Sequence, residues 1–530
     1  MSGKSAVNPF QQIHSFSVSS AASAPNRSVF STALTALALA ACTRTEPAPA
    51  PSFEPIFPAI TGELMTTSSP NLVDLTGDGA LDIVYGSGVD RLRPSQGGYV
   101  FTNEPEIPGY VTAVSGATND VIWTVPNPGE AFTTARFADL NGDGVMDVLM
   151  GGREGAFSAY NGVDGSVIWR VSPAAVAKTQ VPYNFFTPAL IRDANDDGVP
   201  DVVVVYGGDD TRLPGEPRAA GYVAAISGAD GAVLAVHETP DGNESYASVV
   251  VYERPDGREW VIFGTGGETH GGAAYRAPVE SLLDGSFAAR VERLVEPGEK
   301  GVMAPATLVE LTGDAELDIV ISTFDGRLIA VSGVTRETLW EQRVEGEEAY
   351  HPAAVVRIAR DGRLGLFVSR GIGAFPRYVG SVHRLYDAAD GRVVFQYKDG
   401  FHPSGAPLAV DITGDGVDEP FFFSMRYPTA QGGRIHIFHI PSRTMVTHDI
   451  PTNLASTPAI ADPRRTGSLE LILLSWNIGE TTEAPDWRDL RSHLMRLDLT
   501  AATPEFRSWG GYMGTAADGQ YRPVRSNERE

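Results

Sequence analysis

Carboxylates spaced four apart, with glycine between them, recur along this chain of 530 residues. The best copies are Asp74-Leu-Thr76-Gly-Asp78-Gly79-Ala80-Leu-Asp82, Asp139-Leu-Asn141-Gly-Asp143-Gly144-Val145-Met-Asp147 and Asp193-Ala-Asn195-Asp-Asp197-Gly198-Val199-Pro-Asp201. Calcium is a hard cation that takes about six to eight oxygen ligands at about 2.3–2.6 Å, and a loop offering oxygens at alternate positions can wrap around it. The sharp turn at the sixth position calls for glycine. The first copy would supply the side chains of Asp74, Thr76, Asp78 and Asp82 and the carbonyl of Ala80. The second would supply Asp139, Asn141, Asp143 and Asp147 with the carbonyl of Val145, and the third Asp193, Asn195, Asp197 and Asp201 with that of Val199.

Two looser copies follow. One is Asp411, Thr413, Asp415, Val417 (by its carbonyl) and Glu419, ending in Glu rather than Asp. The other is Glu310, Thr312, Asp314 and Asp318, with Ala315 in place of the glycine. The expectation is structural calcium at three to five sites. A single such loop could be a solvated Asp-Gly hairpin turn; three complete copies with matching residue types point to an ion. An EF-hand would carry Glu at the twelfth position between two helices. Here that place holds Tyr85, Met150 or Val204, inside apolar runs, so the loops are not EF-hands.

Another candidate group is the glycine-rich stretch Gly264–Arg276, where Glu268 and His270 could meet a ligand close to the backbone. No His-Glu-x-x-His spacing or Gly-x-Ser-x-Gly elbow accompanies it, which favours a polar inter-strand loop over an active site. His351 and His402 precede prolines in equivalent units and read as structural.

The elements that must position these groups are strands. Each acidic loop precedes an apolar run: Leu81–Tyr85, Val145–Met150, Val202–Tyr206, Leu317–Ser322 and Phe421–Ser424. A second signal follows, an apolar strand ending in glycine at Gly116, Gly162, Gly228 and Gly333, with Trp123, Trp169, Ala235 and Trp340 seven residues on. Units with decayed loops lie at Ser248–Gly264, Val355–Gly371 and Pro458–Ser475, all with arginine nearby, so a guanidinium or a plain hairpin is expected to replace the ion there. The unit recurs at intervals of about 47–65 residues, the spacing of propeller blades. The fold expected is all-β: one propeller of eight blades with four antiparallel strands each, or seven if one decayed unit is an insertion. Helical patterning is confined to Val279–Leu283.

The acidic loops resemble the FG-GAP/VCBS repeats of integrin-type propellers, a resemblance that implies structural calcium. The glycine–tryptophan units resemble the tryptophan-docking repeats of quinoprotein-like propellers. Together they cover about 450 residues and are specific for fold rather than activity. Quinoprotein dehydrogenases of that family use a vicinal disulfide at the cofactor, and this chain has one cysteine, Cys42. Leu39-Ala-Ala-Cys42 closes a short apolar stretch and resembles a bacterial lipobox, implying cleavage before Cys42 and its lipidation. The segments expected are a lipoprotein signal at 1–42, a Pro/Ala tether at 43–59, the propeller at 60–510 and a fraying polar tail at 511–530.

The net charge of −25 argues against a nucleic-acid partner. The reading that follows is a non-catalytic, calcium-stabilised extracytoplasmic propeller. It would be a monomeric binding or adhesion module for a protein or glycan, tethered as an outer-membrane lipoprotein. The alternatives are a periplasmic scaffold for outer-membrane assembly and a quinoprotein-like oxidoreductase.

Overall fold

The computed structural model describes residues 51–522 except 90–91, 96–97, 102–108, 154–156, 178–182, 210–211, 315, 427–430, 455, 479–488 and 500–506. Cys42, Ala315 and the signal segment therefore lie outside the described residues. The rest forms eight antiparallel sheets around one axis, each a meander of four principal strands, with a two-stranded ribbon inserted in the first. The blades span 71–127, 136–171, 184–238, 250–295, 307–343, 347–399, 402–450 and 453–498, and are numbered 1 to 8 in that order. Eight blades, not seven, close the ring, and the decayed units are full blades 4, 6 and 8.

The apolar runs become second strands. Asp82–Ser87, Asp147–Met150 and Asp318–Ser322 are buried at every residue, and Asp201–Gly207 likewise. Burial on both sides explains why these runs are continuous rather than alternating. Outermost strands bury less: in Val121–Asn127 only Trp123 and Asn127 are buried. The apolar core is accordingly a ring of interfaces. Val84, Trp123, Val148 and Tyr160 pack blade 1 on blade 2, and Ile83, Tyr85, Ile472 and Leu494 pack blade 8 on blade 1. The helix Val279–Leu283 forms as expected.

Tryptophan ties neighbouring blades. The Nε1 groups of Trp123, Trp169 and Trp340 donate to the carbonyls of Gly162, Gly228 and Ala388 in the next blade, at 2.9, 2.7 and 2.9 Å. Where tryptophan is missing another donor serves. Arg276 Nη1 reaches the Gly333 carbonyl at 2.6 Å, Arg496 Nη2 reaches that of Gly116 at 2.7 Å, and His237 Nε2 lies 2.8 Å from that of Leu282.

Both ends of the expected propeller need correction. The tether does not run to residue 59: Phe53 is buried against blades 7 and 8 and donates its N–H to Asp498, and Ile56 bonds Arg496. Ile60–Glu63 then adds the outermost strand of blade 8, pairing with Leu490–Asp498. The tail does not fray, at least to residue 522. Arg507–Trp509 pairs with the innermost strand of blade 7, Leu408–Val410. The following residues lace the axial channel: Gly510 bonds Ile460 of blade 8, Gly519 and Tyr521 bond Leu308 of blade 5, and Gln520 Nε2 bonds the Val251 carbonyl of blade 4. Trp509 and Met513 are fully buried. Buried apolar anchors outweigh the polar composition that suggested fraying. Beside this plug a cavity of about 460 Å³ reaches the inner strands of blades 1 to 4.

Candidate functional site

The acidic loops join the first and second strands of their blades, all at one end of the ring. The last carboxylate of each loop is built into the blade. Asp82 is fully buried. Its Oδ2 accepts the N–H groups of Leu75 and Thr76 at 2.9 and 3.1 Å, and its Oδ1 accepts that of Gly116 at 2.9 Å. Asp147, Asp201 and Asp318 repeat this with Gly162, Gly228 and Gly333. The loop is thereby pinned to the turn between the third and fourth strands. Burial raises the pKa of Asp147, Asp201 and Asp318.

The first carboxylate closes the loop itself. Asp74 accepts from Gly77 at 2.7 Å and Gly79 at 2.9 Å, and Asp139, Asp193 and Asp411 repeat the contact with Gly144, Gly198 and Gly416. Gly79 has φ +88°, a left-handed backbone that costs glycine little. The middle carboxylates Asp78, Asp143, Asp197 and Asp415 each accept from the residue two further on, and Asp314 does so in blade 5. In blade 5, Glu310 accepts from Gly313 and Thr312 donates to Asp318 at 3.2 Å. In blade 7, Glu419 accepts from Ile412 at 3.0 Å. Its Oε1 is buried without a hydrogen-bond partner, and burial lifts its pKa to about 9, helped by Asp411 and Asp415.

The donors suit calcium in kind, being all oxygen, and the glycine turn is in place. Their present directions differ from a coordination shell. The carboxylates are turned on to backbone N–H groups, and among the described residues no three acidic, histidine or cysteine side chains stand together as a metal-holding group. Holding calcium would require Asp74, Asp78 and their counterparts to rotate toward the loop centre.

The glycine-rich stretch lies at the opposite end of the ring, in the turn between Glu259–Gly264 and Ala274–Pro278. It folds over Glu244, which enters blade 4 from the preceding connection. His270 Nδ1 is 3.5 Å from Glu244 Oε1, and Arg218 Nη1 is 3.4 Å from Oε2. Arg218 also donates to Tyr246 OH and to the Asp209 carbonyl, both at 2.7 Å, while its Nε is buried without a hydrogen-bond partner. A side chain at Gly267 would sit 2.8 Å from Glu244 Oε1, so glycine lets the turn cover the carboxylate. Burial pushes Glu244 up to about 7 against the pull of Arg218, and burial with Arg218 nearby pushes His270 down. The Glu268 charge bears on Arg218 and Glu244 and also on Tyr378 in blade 6. This places Glu268 between two polar groups. The second comprises Glu348, its partner Lys300, and Tyr378, whose hydroxyl donates to Glu348 at 2.7 Å. His402 packs edge-on against Tyr378 at 5.7 Å, and burial lowers the pKa of His351 to about 4.

A third buried carboxylate, Glu130, pairs with Arg153 at 2.5 Å and accepts from Thr67 at 2.7 Å. Glu130, Glu244 and Glu348 enter blades 2, 4 and 6 within Glu130-Ala-Phe132, Glu244-Ser-Tyr246 and Glu348-Ala-Tyr350. Sequence reading overlooked this Glu–small–aromatic unit. Its recurrence at about two blade periods was the available signal.

No family model matches the chain, and no curated protein does. Solved structures do. Quinohemoprotein alcohol dehydrogenase from Comamonas testosteroni aligns with TM-score 0.53 and 11% identity over 84% of this chain and 76% of its own. A europium-containing methanol dehydrogenase aligns with TM-score 0.52 and 12% identity over 80% and 84%. BamB from Moraxella catarrhalis gives TM-score 0.43 and 11% identity over 80% and 99%. At such identities the likeness to the dehydrogenases establishes the propeller and nothing about activity.

Proposed function

We propose that this eight-bladed propeller is a non-catalytic binding module of the cell envelope, stiffened by calcium and tethered through lipidated Cys42. The supporting observation is the division of labour between the two ends of the ring. One end carries the repeated acidic loops, each locked into its own blade by a buried carboxylate. The other carries the non-repeating cluster of Arg218, Glu244, Tyr246, Glu268 and His270, with donors and acceptors that suit a polar protein or glycan surface. Polar contacts account for the burial of Glu244: Arg218 pairs with it and the turn at Gly267 covers it. Among the described residues no helix is long and apolar enough to cross a membrane. Attachment through Cys42 is supported by the lipobox-like Leu39-Ala-Ala-Cys42.

The test is a calcium titration of metal-stripped protein followed by glycan-array and envelope pull-down experiments with the wild type and Glu268→Ala/His270→Ala. Expected are calcium uptake, a rise in thermal midpoint, and a bound species lost in the double variant. Absence of uptake sinks the calcium part, and a bound species retained by the double variant sinks the assignment of the face. An unmodified Cys42 in the membrane fraction, seen by mass spectrometry, sinks the tether.

A further inference from the structure

The loops divide by what faces their carboxylates. In blades 1, 2 and 3, no arginine, lysine or histidine among the described residues lies within ion-pair distance of Asp74, Asp78, Asp82, Asp139, Asp143, Asp147, Asp193, Asp197 or Asp201. Blade 7 is different. Its neighbour, blade 6, has a short hairpin in place of an acidic loop, and two arginines flanking that hairpin reach across. Arg357 Nη2 and Nε grip Asp418 Oδ1 at 2.7 and 3.1 Å, and Nη2 lies 3.8 Å from Asp411 Oδ2. Arg360 Nη2 lies 3.6 Å from Asp415 Oδ2. His439 Nε2 lies 3.6 Å from Glu419 Oε1. The first, middle and last carboxylates of the loop thus each face a basic group.

The same substitution occurs within blade 8, where Arg464 stands at the third loop position and pairs with Glu470 at the ninth, 2.6 Å away, and Arg496 joins at 2.8 Å. Blade 5 does not share it: Arg254 of the blade 4 hairpin pairs with Glu316, at the seventh position, at 2.6 Å.

We infer that arginines supplied by blade 6 hold the cation place of the blade 7 loop, so that this loop takes no calcium. A guanidinium already satisfies the carboxylates by charge-assisted hydrogen bonds and repels a divalent ion at contact distance. The ligand carboxylates of the other four candidate loops face no basic side chain within ion-pair distance among the described residues. The inference rests on the calcium reading and removes the blade 7 loop from the five candidates.

Equilibrium dialysis of the full chain against calcium, read by elemental analysis, tests it. Asp74→Asn should lower the number of ions held per chain by one, whereas Asp411→Asn should leave it unchanged. Arg360→Gln, and Arg357→Gln combined with Asp418→Asn so that no buried carboxylate is orphaned, should raise it by up to one. Hydrogen exchange gives an independent readout: a chelator should deprotect the loops at 74–82, 139–147 and 193–201 at least tenfold while that at 411–419 is unchanged. Loss of one ion in Asp411→Asn overturns the inference and leaves the calcium reading intact. No bound calcium at all removes both.

Discussion

Glu244 is the residue whose charge the fold controls most visibly. Its folded pKa, about 7, lies above its ordinary 4.5 because burial disfavours the anion more than Arg218 favours it. The folded chain therefore keeps a proton that the unfolded chain has released. Stability from the neutral form is complete below pH 4.5 and is lost as pH rises through about 7. Glu244→Gln, which mimics the protonated acid, should match the wild type near about pH 4 and exceed it in thermal midpoint by about 2–6 °C above about pH 8. A gain that is equal at both pH values would contradict this account. The loop aspartates were legible in sequence because their chemistry is local: position, turn and donor all fall within nine residues. The Glu244 cluster was not, because Arg218, Glu244 and His270 come from three connections and meet only when two blades dock. Glu268 and His270 drew notice through their glycines, whereas the carboxylate those glycines cover did not.

At the scale of the element, the blade-to-blade tie is one hydrogen bond from a large side chain to a turn carbonyl. Trp123 is nearly buried and its partner, the Gly162 carbonyl, belongs to the turn that Asp147 pins. Trp123→Phe keeps the ring but leaves that carbonyl unpaired, and should cost about 1–3 kcal/mol in urea denaturation; Trp123→Ala should cost about 3–5 kcal/mol. If Phe proves neutral, the indole N–H is not the tie. The Gly–Trp spacing made three of these ties readable in advance. Those made by Arg276 and Arg496 were hidden because the arginine sits on the third strand instead of the fourth, and so has no fixed offset from the glycine. Arg276 adds a stacking partner, with its guanidinium 4.8 Å from the Trp260 ring centre, so arginine-for-tryptophan exchange keeps both polarity and area.

For the whole molecule, closure is shared by the segments that precede and follow the blades in the chain. The outermost strand of blade 8 comes from residues 60–63, and the channel is filled by residues 507–522. Neither segment carries repeat periodicity, which is why blade count and order were legible and closure was not. Trp509 is fully buried among residues of blades 5, 6 and 7. Trp509→Ala should lower stability by about 3–5 kcal/mol in urea denaturation, and a chain stopped after Leu499 should lower it further. A plug that could be removed without loss would instead be a passenger in a ring already complete.

Blades emerge from synthesis in order, and early ones can pack as they appear. The plug is made after all eight blades and bonds inner strands of blades 4, 5, 7 and 8. The ring therefore has no finished state while it is being made: every shorter product is an unsealed circle, however many blades it has. Quality of the final assembly is thus reported by residues 507–522, and a chain stopped before them should be recognised by proteases as incomplete even when all eight blades are present.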